Sequence, residues 1–83
     1  MDYYFKPSAL KDLKRLPKSI QRRIFNKLDY YTRSHDPLKF AEALKYKEIG
    51  SYRYRVGDYR AVFDIINERI IILSVGHRKE IYK

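Results

Sequence analysis

Nine consecutive residues, Tyr52-Arg53-Tyr54-Arg55-Val56-Gly57-Asp58-Tyr59-Arg60, constrain the fold more tightly than any others in the chain. They read as two β-strands joined by a two-residue Gly-Asp loop, because glycine accepts the positive φ that such a loop demands. With that loop, Val56 faces Tyr59 and Arg55 faces Arg60 across the ladder. Side chains alternate faces along a strand, so Arg53 joins Arg55 and Arg60 on one side. Tyr52, Tyr54 and Tyr59 fall on the other side, towards a core. Like charges directly opposed in a sheet are destabilising. A fold by itself gives no reason to gather three arginines there. An anionic ligand supplies one, because the guanidinium fork matches phosphate.

The rest of the chain arranges itself around this hairpin. Residues 2–5 are short, aromatic and β-prone, and read as a first strand. Pro7 and Ser8 open a helix, with proline tolerated in the first turn and serine able to cap. Leu10, Leu13 and Leu16 recur at helical spacing until Pro17 interrupts them. A longer helix restarts at Lys18 or Ser19, with Ile20, Ile24, Leu28 and Tyr31 on one face and Phe25 beside them. Residues 34–37 end it. Residues 38–50 are ambiguous, because Phe40, Ala43 and Leu44 have helical spacing yet lead towards a strand; a connection with one helical turn is expected. Tyr59–Ile66 forms the hairpin's second arm, and Asn67-Glu68 marks a further turn. Residues 70–75 are almost continuously apolar, which predicts a strand buried on both faces, ended by Gly76. The tail, residues 77–83, is polar apart from Ile81 and Tyr82. The expected fold class is α+β in the order β-α-α-β-β-β, one domain over residues 1–83, with both helices on one face of a mostly antiparallel sheet.

Charge narrows the partners. Nineteen Lys and Arg oppose ten Asp and Glu, a formal +9 on 83 residues. Self-repulsion on that scale weakens a small folded body, and a polyanion relieves it. The two leading classes of partner are nucleic acid and an acidic protein. No apolar run reaches membrane-spanning length and the N-terminus does not read as a signal peptide, so the expected compartment is the cytoplasm. There is no cysteine. Two histidines, His35 and His77, and scattered carboxylates give no metal-ligand spacing, so no metal or cofactor is expected. No phosphate-cradling glycine loop and no nucleophile elbow is present. Chemistry, if any, runs on Arg, Lys, Tyr and His. That set suits RNA, which carries its own nucleophile in the 2′-hydroxyl and needs chiefly positioning and charge stabilisation.

The run Tyr52-Arg53-Tyr54-Arg55-Val56, then Gly57-Asp58-Tyr59-Arg60-Ala61-Val62-Phe63, then Val75-Gly76-His77-Arg78-Lys79-Glu80-Ile81-Tyr82, resembles the RelE toxins of bacterial and archaeal toxin–antitoxin systems. Ser8-Ala9-Leu10-Lys11-Asp12-Leu13-Lys14 fits their first helix. The resemblance implies an endoribonuclease that cuts messenger RNA in the ribosomal A site and is silenced by a cognate antitoxin, RelB-like and acidic. It assigns Arg60 to the scissile phosphate, Arg53 and Arg55 to the RNA backbone, Arg78 to the leaving group, and Tyr82 to stacking or activation. Arginine stands at Arg53 and Arg55 where relatives commonly have lysine, and arginine does not give up its proton, so neither is the base. Tyr82, His77 or no base at all remain open. Read without the resemblance, Tyr82 docks the chain end onto the core and His77 is structural. The basic helix face, Lys11, Lys14, Arg15, Lys18, Arg22, Arg23 and Lys27, is a solvated surface that in this family would meet ribosomal RNA. Two rival readings stay on the table: a ParE-like inhibitor that binds DNA gyrase without cutting RNA, and a non-catalytic RNA-binding protein.

Overall fold

Prolines and glycines set the boundaries of the elements. The computed structural model describes residues 1–45 and 48–81. Strand β1 is Tyr3–Phe5, and helix α1 is Pro7–Lys14, with Pro7 at its first position. Ser8 makes no cap; Lys6 holds the cap position without a side-chain bond, since proline already removes one orphan N–H. Helix α2 is Lys18–Arg33, entered through Pro17. A 3₁₀ turn, Pro37–Phe40, leads into strand β2, Ala41–Ala43. Strands β3 (Tyr52–Val56), β4 (Tyr59–Ile66) and β5 (Arg69–His77) form a meander, and a one-turn helix α3, Arg78–Ile81, follows. No helix among the described residues is long and apolar enough to cross a membrane.

The sheet runs β1-β5-β4-β3-β2, with β1 parallel to β5 and every other pair antiparallel. The α+β class and the two helices on one face are as expected. Strand β2 and helix α3 are additions. The sequence offers β2 only three residues, in a stretch whose apolar spacing is helical. It becomes a strand by pairing with β3, Glu42 opposite Arg53. Strand β5 is not ended by Gly76 but continues to His77.

The core lies between the helices and the sheet. Ala9, Leu13, Ile24 and Leu28 meet Tyr54, Ala61, Phe63, Ile70, Ile72 and Val75, all buried. Tyr54 and Phe63 stack at 4.5 Å, and Tyr31 and Phe40 stack at 4.8 Å. The Tyr54 hydroxyl donates to the Pro37 carbonyl at 2.8 Å, and burial pushes its pKa up to about 12. Tyr52, Tyr54 and Tyr59 all pack on this side.

The opposite face is covered unevenly. Gly50, at φ +147°, lies so close that a Cβ there would meet Val62 Cγ1 at 2.5 Å and Leu73 Cδ1 at 3.1 Å. Val62 is buried beneath it, while Ile71 and Leu73 stay half-buried. Residues 70–75 are therefore fully buried only where Ile70, Ile72 and Val75 face the helices, because the covering loop is short. The end of this face towards the β3–β4 loop carries the arginines.

Candidate nucleic-acid interface

The hairpin register fixes the site. Gly57, at φ +61°, opens the loop, and Val56 pairs with Tyr59. Arg55 pairs with Arg60, and Arg60 pairs in turn with Gly76 on β5. Arg53 sits two residues before Arg55, opposite Val62, so the three arginines share one face. Gly76 adds no side chain to the row, and a Cβ there would meet nothing nearer than Ile81 at 4.0 Å.

The hairpin by itself offers no structural reason for this gathering. The structure supplies a partial one in Glu42. Its carboxylate accepts from Arg53 Nη2 at 3.2 Å and Nε at 3.4 Å, and lies 3.6 Å from Arg55 Nε. The hydrogen bond from Arg53 is the main cause holding its pKa below the usual carboxylate range; burial opposes, and the charges of Arg53, Arg55 and Arg60 add. Among the described residues, the Glu42 carboxylate thus serves both the Arg53 and the Arg55 guanidinium groups.

Arg60 is anchored differently. It is only 6% exposed, and its Nη1 donates to the carbonyls of Gly57 at 2.8 Å and Tyr59 at 2.9 Å. Its orientation is thus fixed by the backbone of its own loop. A guanidinium positioned before any ligand arrives stabilises charge without reorganisation.

Arg78 reaches the same loop from α3. Its backbone N–H donates to the Asp58 carbonyl at 2.8 Å, and its Nε lies 3.7 Å from the Asp58 carboxylate. Arg60 and Arg78 are therefore tied to adjacent loop residues. His77 pairs with Tyr59 and so lies on the helix side of the sheet, across from the arginines. Its Nδ1 accepts the Lys79 N–H at 3.1 Å, and its ring meets Tyr59 edge-on at 5.5 Å. The neutral ring therefore carries its proton on Nε2. Tyr82 lies outside the described residues. Glu42 and Asp58 join the site through the β2–β3 register and the α3 contact, neither of which local sequence patterns show.

Comparison with known proteins turns this geometry into a class. The profile described as ParE toxin of type II toxin-antitoxin system, parDE, matches residues 3–82. Fold, basic face and that match define a toxin of a type II toxin–antitoxin system. Toxin RelG of Mycobacterium tuberculosis is 31% identical over 81 residues, covering 95% of this chain and 92% of that protein. The toxin–antitoxin complex RelBE2 from Mycobacterium tuberculosis superposes with TM-score 0.75 at 29% identity, over 93% of this chain and 96% of that one. The archaeal RelE–RelB complex from Pyrococcus horikoshii OT3 gives 0.71 at 27%, over 95% and 96%. The chain belongs to the RelE/ParE superfamily.

Proposed function

We propose that this toxin is a ribosome-dependent mRNA endonuclease of the RelE type. The observation that carries the reading is the row Arg55–Arg60–Gly76 with Arg53 beside it, which gathers three guanidinium groups on one face of the sheet. RNA supplies the nucleophile: its 2′-hydroxyl gives up its proton to a base or to water as its oxygen attacks the adjacent phosphorus, the bond to the 5′-oxygen breaks, and that oxygen takes up a proton. The products are a 2′,3′-cyclic phosphate, or its 3′-phosphate after hydrolysis, and a 5′-hydroxyl. No metal or cofactor takes part. Arg60, locked by its loop carbonyls, holds the reacting phosphate. Arg53 and Arg55 neutralise neighbouring charge, and Arg78 stabilises the leaving oxygen. Tyr82 orients or activates the nucleotide, while His77, on the opposite face of the sheet, is not part of the RNA-holding row. The toxin acts in the cytoplasm and is silenced by an acidic RelB-like antitoxin, in keeping with relatives crystallised as RelB complexes.

Arg60→Ala tests the reading. Loss of two carbonyl contacts lowers stability by about 1–3 kcal/mol, yet the variant folds cooperatively and no longer arrests growth. A folded, fully toxic Arg60→Ala protein would refute it.

The parDE profile favours a second reading, a gyrase inhibitor that binds and does not cut. Primer extension on messages from induced cells separates the two. Codon-spaced cuts support the RelE type; intact messages with gyrase-linked DNA breaks support the ParE type.

A further inference from the structure

Helix α2 brings one more guanidinium to the hairpin loop. Its Ile24 and Leu28 are buried against the sheet, and its Tyr31 hydroxyl donates to the Arg55 carbonyl at 3.2 Å. That docking sets Arg23, next to Ile24, over the loop. A Cβ at Gly57 would lie 2.8 Å from Arg23 Nη2, 3.4 Å from Cζ and 3.7 Å from Nη1. Gly57 thus has a guanidinium on either side: Arg60 takes its carbonyl, and Arg23 covers its Cα. Among the described residues Arg23 forms no ion pair, and the neighbouring Asp58 carboxylate already faces Arg78.

We infer that Arg23 is a phosphate-binding residue of the same site, gripping the RNA backbone where the strand passes round the loop from the sheet face onto α2. The inference rests on the proposed function, and it separates Arg23 from the rest of the basic helix face. Arg23 lies over Gly57, Arg60 holds the Gly57 carbonyl and Arg78 faces Asp58, so three guanidinium groups gather on one two-residue loop and raise the self-repulsion of that corner. A backbone phosphate relieves it, and the planar fork suits phosphate.

The experiment is binding of the purified chain to a short single-stranded RNA, 2′-O-methylated throughout so that cleavage cannot consume it, at several salt concentrations. Each phosphate contact to a single strand adds about 0.7 to the slope of log affinity against log salt. Arg23→Ala flattens the slope by about 0.7, Arg23→Lys restores it, and Arg33→Ala leaves it unchanged. Arg33 lies on the same helix about 15 Å further along and lines a groove at the other end of the sheet with Arg69. Arg23 is exposed, so its truncation opens no core. An unchanged slope in Arg23→Ala, with a flatter one in Arg53→Ala, overturns the inference and leaves the proposed function standing. Unchanged slopes in both overturn the proposed function and the inference together. Equal flattening in Arg23→Ala and Arg33→Ala makes the binding diffuse and also overturns it.

Discussion

Glu42 shows how one side chain reconciles like charges on a strand. Its carboxylate bridges Arg53 and Arg55, and its side chain is 42% exposed. Partly exposed pairs contribute little, so Glu42→Gln lowers stability at neutral pH by under about 1 kcal/mol. The sign with pH follows from the depressed folded pKa. The ionised group stabilises the fold above its ordinary value of 4.5, and that contribution fades as acid passes through the lowered value. Thermal unfolding from pH 7 downwards checks this: wild type leads Glu42→Gln at neutral pH, and the gap closes in acid. Gly50 is the second residue with an outsized role. At φ +147° and against Val62, it accepts no side chain without strain and collision. Gly50→Ala costs about 2 kcal/mol or more, read by urea unfolding, because both backbone and packing must give.

At the scale of elements, the turns decide register. Asn67 at φ +51° and Glu68 at φ +61° form the two-residue loop between Ile66 and Arg69, which pair. Both angles positive is the type I′ pattern, for which Asn-Gly is the favoured sequence. Glu68→Gly removes a Cβ penalty of about 1–2 kcal/mol and adds back part of it in chain entropy. It should raise stability by about 0.5–1 kcal/mol in urea titrations and leave toxicity unchanged, since this loop lies at the far end of β4 from Gly57. The hairpins, both helices and the core face of α2 were legible in the sequence because each rests on local chemistry: Pro7 and Pro17 as boundaries, isoleucine and leucine at helical spacing, glycine or asparagine where φ turns positive. On α1 the leucine spacing misled, since Ala9 and Leu13 are buried while Leu10 is exposed, and Phe25 of α2 is exposed too. Strand β2 was not, because three residues acquire extended structure only through β3. The site divides the same way. Alternation along β3 and β4 placed Arg53, Arg55 and Arg60 together from sequence alone. Glu42 depends on an unread strand, Arg60's carbonyl anchors on how its side chain folds back, and Arg23's seat on how α2 crosses the sheet.

Across the whole molecule, nine net positive charges occupy a body of 29 × 27 × 22 Å. At 0.01 M salt the screening length is about 30 Å, so every cation acts on every other; at 0.1 M it is about 10 Å. Salt should therefore raise the melting temperature of the isolated chain while weakening its hold on RNA. Calorimetry and binding across the same salt series check the opposition, and a melting temperature that falls with salt contradicts it. The parallel pairing of β1 with β5 carries a different consequence. Tyr3 finds its neighbour at Ile70, and Lys6 donates its N–H to Ile72 at 3.0 Å. During synthesis the opening strand has no edge to join until most of the polypeptide exists. Gly76, which borders Arg60, comes from that same late strand. A truncated product therefore lacks a finished sheet: the wiring of the chain leaves Arg60 without its Gly76 neighbour until translation has passed β5.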